Sequence, residues 1–227
     1  MKESKRRIGV EFLDDLLQGG LPKKSVILIE GTSGIGQSVL LYHFLNDGVR
    51  NKEKCIYVFS GRLIEEILDE FDSYKMDVRD KDLIWIDASN TDQKAIQCDL
   101  SELYTLSSAI KNVIEQNEKK EIRLAMDIIS PILMANNPSE VYKFLSSLIT
   151  ELKKNDVTAL FVIEDAMHDP QIVASIEQLC DGVIEMKAIE KDLEIETVLK
   201  IKKMRNVPPF QRYYKYEVTS DGIMEKK

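Results

Sequence analysis

Cysteine and histidine are both scarce in this 227-residue chain, at three and two residues. Cys55, Cys98 and Cys180 stand far apart with no Cys-x-x-Cys spacing, and His43 and His168 are too few to complete a metal set with them. Neither a disulfide framework nor a structural zinc site is indicated, and buried free thiols in a reducing cytoplasm are expected. Proline and glycine are sparse too, at six and ten residues, and no Gly-, Ser- or Pro-rich linker, repeat or low-complexity tract occurs. Positive charge is in deficit: 31 Lys and Arg against 39 Asp and Glu leave a formal net charge of −8. Nucleic acid and anionic membranes repel such a chain at long range, so either partner would need a local basic stripe. Long apolar runs are also missing. The opening "MKESKRRIGVEF" lacks an apolar segment of signal-peptide length, and "LAMDIISPILMA" is interrupted by Asp127, Ser130 and Pro131. The expectation is a cytoplasmic protein without membrane insertion.

What is present suffices for a full core. With 44% hydrophobic residues, positions 1–227 read most simply as a single domain. Short runs rich in Val and Ile alternate with longer runs at helical spacing, which predicts an α/β fold with a mostly parallel twisted sheet and helices on both faces. The candidate strands are "SVILI", "CIYVF", "LIWID", "IRLAMDI", "TALFVIE" and "GVIEM". Ile64, Ile67, Leu68 and Phe71 share one helix face; so do Leu103, Leu106, Ile110 and Val113, and Val141, Leu145, Leu148 and Leu152. After Gly182, "EIETVLKIKKM" and "RYYKYEVTSDGIM" alternate, predicting an antiparallel C-terminal extension closed by an Asp221-Gly222 turn.

Between "SVILIE" and the helical run "QSVLLYHFLND" lies a loop with the glycine spacing of a phosphate cradle. Gly31, Thr32, Ser33, Gly34, Ile35 and Gly36 form it, followed by Gln37, Ser38 and Val39. Backbone N–H groups and the positive end of the helix would point at a phosphate, and the Ser38 hydroxyl stands where a Mg²⁺ ligand is wanted. Gln37 occupies the place of the phosphate-binding lysine. Its amide can donate a hydrogen bond but carries no charge, so affinity should be weakened and hydrolysis weakened more. The alternative is a Gly-rich strand-to-helix turn that never meets a nucleotide. Asp127 follows the apolar run "IRLAM", at the carboxyl edge of the sheet where ligands of open α/β sheets bind, and could hold Mg²⁺ opposite Ser38. A helix cap or turn acid is the other reading of Asp127.

These residues resemble the KaiC-like branch of the RecA-type ATPases, which also includes the archaeal RadA paralogues. The resemblance starts at "IGVEFLDDLLQGGLPKKSVILIEG" and runs through the loop, the Asp127 strand, "CDGVIEM" and "LKIKKMRN" to "YEVTSDGIM". It implies one RecA-like domain that binds ATP or ADP with Mg²⁺ between subunits of a homo- or hetero-oligomer. In active relatives the strand matching "CIYVF" leads into an acidic pair that activates water. Here it leads into Ser60, Gly61 and Arg62, which cannot serve as a carboxylate base. Glu65 and Glu66 follow, read as the solvated face of a helix. The segment "KKMRN" resembles the stretch by which a subunit reaches its neighbour's γ-phosphate, which gives that role to Lys203 and Arg205. A basic edge strand is the plainer reading of the same residues.

The combination implies a degenerate, pseudo-ATPase subunit that works beside active RecA- or KaiC-like ATPases. A slow ATPase that recruits Glu65 or Glu66 is a second reading. A DNA-recombination accessory using Lys5, Arg6, Arg7, Lys202, Lys203 and Arg205 is a third, disfavoured by the acidic balance.

Overall fold

The computed structural model describes residues 5–79, 83–191, 194–207 and 212–226. A short ribbon pairs β1 (Lys5–Arg6) with β2 (Leu21–Pro22), enclosing α1 (Glu11–Leu16). The main sheet contains β3 (Val26–Gly31), β4 (Lys54–Phe59), β5 (Leu83–Asp87), β6 (Ile96–Gln97), β7 (Ile122–Met126), β8 (Thr158–Glu164), β9 (Gly182–Lys191), β10 (Glu194–Met204), β11 (Tyr214–Thr219) and β12 (Gly222–Glu225). Its spatial order is β12-β11-β10-β9-β3-β8-β7-β4-β5-β6. From β9 to β6 every neighbouring pair is parallel, and from β9 to β12 every pair is antiparallel. The helices are α2 (Gln37–Arg50), α3 (Ile64–Ser73), α4 (Leu103–Glu115), α5 (Ile129–Ala135), α6 (Pro138–Lys154) and α7 (Pro170–Leu179).

Alternation along the strands divides the core in two. Ile27 and Ile29 of β3 pack with α1, α2 and α3 on one face, while Val26 and Leu28 pack with α4, α5, α6 and α7 on the other. All residues of β3 are buried, as a continuous apolar central parallel strand requires. Helix starts follow local chemistry: Asn137 and Asp169 accept from Ser139 N and Gln171 N, each ahead of a proline at the first helical position.

Most predicted strands appear where expected. "GVIEM" is only the first half of β9, because its pairing with β10 continues past its pairing with β3. The final turn consists of Ser220 and Asp221, with Gly222 (φ 83°) opening β12. All three cysteines are free and buried. Among the described residues no helix is long and apolar enough to cross a membrane.

Arg123 of β7 anchors α2 to the sheet from inside the protein, at 1% exposure. Its Nη2 meets Asp47 at 2.8 Å, its Nε meets Glu53 at 2.5 Å, and Nη1 donates to the carbonyls of Arg7 and Phe44 at 2.8 and 2.9 Å. Arg123→Met takes the buried charge from two carboxylates, leaving Glu53 only Arg6 and Asp47 only the Asn51 amide, so a loss of about 3 kcal/mol is expected in denaturant unfolding. A loss below about 1 kcal/mol, the range of a surface pair, would contradict this role.

Candidate active site

The last residue of β3 is glycine because a side chain at position 31 would strike the Met186 carbonyl oxygen of β9. Gly36 caps α2 in the left-handed region (φ 97°), and a Cβ on it would meet Val218 at 2.8 Å. Thr32, Ser33 and Gly34 are exposed, Ile35 is buried beneath them, and Val39 sits in the first turn of α2. A cavity of about 250 Å³ opens over the loop. Ser33, Gly34, Gly36, Gln37, Ser38 and Val39 line it together with Tyr74, Asp127, Val162, Glu164 and Val218. Two carboxylates face this space, and none of these lining residues is a lysine or arginine.

Gln37 does not point its amide at the cavity. Nε2 donates to the carbonyl of Ile163 at 3.1 Å and to that of Gly31 at 3.4 Å, bridging the ends of β8 and β3. The amide expected to reach a phosphate is thus committed to the backbone, because a buried NH2 group without acceptors would be costly.

Ser38 and Asp127 do meet. Ser38 Oγ donates to Asp127 Oδ2 at 2.9 Å, and Tyr57 OH donates to the same oxygen at 3.3 Å. Burial raises the Asp127 pKa; the bonds from Ser38 and Tyr57 and the charge of Arg62 oppose that rise, while Glu164 adds to it. Two oxygen donors beside a cavity suit a hard cation such as Mg²⁺, which keeps several of its waters.

Beyond the end of β4 the chain runs through Ser60 and Gly61 to Arg62. Arg62 donates to Glu70 at 2.6 Å and to Tyr42 OH at 3.0 Å. Neither Glu65 nor Glu66 lines the cavity: Glu65 pairs with Arg79 at 2.7 Å, and Glu66 accepts from Leu63 N at 2.9 Å, capping its own helix. Glu164 is the cavity carboxylate that sequence reading missed. It ends β8 as Asp127 follows β7, and that shared strand-end position was the available signal.

Lys203 and Arg205 lie toward the other end of the sheet. Gly31 is level with Met186, whereas Lys203 pairs with Val183, roughly 10 Å further along at 3.3 Å per residue. Lys203 Nζ donates to the carbonyls of Glu177 and Cys180 at 3.0 and 2.6 Å, closing the C-terminal end of α7. Arg205 pairs with Asp181 at 3.0 Å while its side chain stays 67% exposed. Arg6 and Arg7 are likewise paired, with Glu121 and Asp14, and Lys202 with Glu30 and Glu177.

A strand-loop-helix turn of phosphate-cradle shape, with an acid after β7, the strand on the far side of β8 from β3, defines a RecA-like P-loop domain. The chain belongs to the family described as "ATPase: KaiC", which matches residues 6–225. A UPF0273 protein of Aeropyrum pernix is 24% identical, covering 96% of this chain and 92% of its own length. The circadian clock oscillator protein KaiC of Parathermosynechococcus lividus is 26% identical over 96% of this chain and 42% of its own. The crystal structure of the KaiC-like protein PH0186 from Pyrococcus horikoshii superposes with a TM-score of 0.81 at 20% identity, covering 99% of this chain and all of that one.

The C-terminal hairpin holds the loop. Tyr216 OH donates to the Ile35 carbonyl at 2.6 Å, and Ile223 N donates to His43 Nε2 at 2.9 Å. Burial lowers the His43 pKa to about 4, against a hydrogen bond with the Gly9 backbone. The unfolded chain therefore takes up this proton first, and the contribution of neutral His43, complete above about pH 6.5, is lost as pH falls toward 4. Relative to His43→Gln, the parent protein should lose about 3 kcal/mol between pH 7 and 4. A gap independent of pH would contradict a neutral His43.

Proposed function

We propose that residues 1–227 act as one KaiC-family domain that binds ATP or ADP with Mg²⁺ weakly, hydrolyses it poorly, and serves as a regulatory or structural subunit beside RecA- or KaiC-like ATPases. The carrying observation is a loop cavity that brings Ser38 and Asp127 together, 2.9 Å apart, with neither lysine nor arginine in its lining. Backbone amides of Thr32 to Gln37 and the N-terminal end of α2 would hold the phosphates. Ser38 and Asp127 would hold Mg²⁺, which supplies the positive charge that the loop lacks. Tyr74 and Val218 offer an apolar wall. The arm that reaches a neighbouring subunit would be Arg205, with Lys203 fixing the helix end beneath it.

Calorimetric titration with Mg-ATP tests the reading. Binding is expected in the parent and loss in Ser33→Asp, which puts a negative charge on an exposed loop position, and in Gly36→Asp, which also disturbs Val218. Gln37→Lys should tighten ATP binding about tenfold, because it offers a charge-assisted hydrogen bond to phosphate where the Gln37 amide is spent on the Gly31 and Ile163 carbonyls. Equal affinity in parent and Ser33→Asp would overturn the cradle. Mixed with an active KaiC-family ATPase, the protein should change that enzyme's rate, and Arg205→Ala should reduce the change; no complex and no change would sink the subunit role.

Slow turnover is the second reading, favoured by Glu164 on the cavity wall. Radiolabelled hydrolysis that survives in the parent and vanishes in Glu164→Gln would establish it. A DNA role finds little support, since Arg6, Arg7, Lys202, Lys203 and Arg205 already have partners within the chain.

A further inference from the structure

The cavity over the loop contains a charge problem. Asp127 and Glu164 both face it, and a polyphosphate placed there adds negative charge to negative charge. One divalent ion on Ser38 and Asp127 offsets only part of that. Cations nearby are mostly committed: Lys75 pairs with Asp221, and Arg79 with Glu65, Asp69 and Asp72. Arg62 differs from them in where its charge acts, since it is felt by both Asp127 and Tyr57.

Its position follows from the fold. Asp127 N donates to the Val58 carbonyl at 2.9 Å, so the continuation of β4 through Ser60 to Arg62 leaves the sheet beside Asp127. Arg62 Nη1 donates to the hydroxyl of Tyr42, which stands four residues after Ser38 on α2. Side chains at that spacing lie on one face, with Cβ atoms about 5–6 Å apart. Ser38 and Tyr42 thus form neighbouring rungs: the first carries Asp127, the second Arg62. The Arg62 side chain is 30% exposed and the Glu70 carboxylate facing it 46%, so the pair stands at the protein surface, where water can take either partner's place.

We infer that Arg62 is the cation of this site: it moves from Glu70 to the terminal phosphate of a bound nucleoside triphosphate, in place of the charge absent at position 37. Glu70 is then an internal competitor that holds the guanidinium while the site is empty. This rests on the nucleotide reading above and adds a preference: ATP, whose outer phosphate reaches Arg62, gains more from it than AMP.

The experiment is titration of the parent, Arg62→Gln, Arg62→Lys and Glu70→Gln with Mg-ATP and with AMP, with thermal melts to establish that each variant is folded. Arg62→Gln should weaken ATP binding about tenfold or more and leave AMP binding unchanged, and Arg62→Lys should recover part of the loss. Glu70→Gln, which frees the guanidinium, should tighten ATP binding severalfold. Unchanged ATP affinity in Arg62→Gln overturns the inference while the nucleotide reading stands. Equal weakening in Arg62→Gln and Glu70→Gln also overturns it, because the pair would then merely brace α3. Absence of ATP binding in the parent overturns the nucleotide reading and this inference together.

Discussion

The neutral amide of Gln37, bonded to the carbonyls of Gly31 and Ile163, joins the ends of β3 and β8 where the chain departs into the loop. It reinforces a junction that the ladder of β3 with β8 carries as far as Gly31 and Glu164. With the two strand ends tied, Gly36 can open α2 in its left-handed conformation, and Ser38 falls beside Asp127. The hairpin of β11 and β12 closes the arrangement from outside through Tyr216 and His43. A phosphate cradle depends mainly on backbone amides and a helix terminus, so its shape persists without the usual cation.

Charge is what has changed. The cavity lining holds two carboxylates and no lysine or arginine, while Arg62 stands beyond the end of β4, bonded to Glu70. A guanidinium cannot draw a proton from water, but it can neutralise phosphate. An arginine at that place, beside a cavity lined by neither lysine nor arginine, supports the proposal that nucleotide is held and not cleaved. Arg205, mostly exposed and paired with Asp181, stands toward the opposite end of the sheet from its own loop.

The sheet was readable because continuous apolar runs such as "VILI" can be buried on both faces only as central parallel strands. The loop and Asp127 were readable because glycine spacing and a strand-end acid are local patterns. Partner choice was not. Gln37 turns to Ile163, 126 positions away, and Tyr216 reaches Ile35 across 181, so no window of sequence contains either bond. Lys203 read either as a basic edge-strand residue or, by resemblance, as an arm to a neighbour, and neither reading contained the carbonyls that the end of α7 supplies for it. Glu65 and Glu66 read correctly as the solvated face of a helix, with Arg79 and the Leu63 amide now identified as their partners. Tyr57, Tyr74, Glu164 and Val218 come from four separate elements or their ends, and only the assembled fold brings them to the loop.

The proposed function is retention of nucleotide without turnover. Equilibrium dialysis against radiolabelled Mg-ATP, followed by chromatography of the nucleotide recovered from the protein, tests it most directly. The expected result is saturable binding with the recovered label still ATP after prolonged incubation. Rapid conversion to ADP, abolished in Glu164→Gln, would contradict the account by showing a working ATPase.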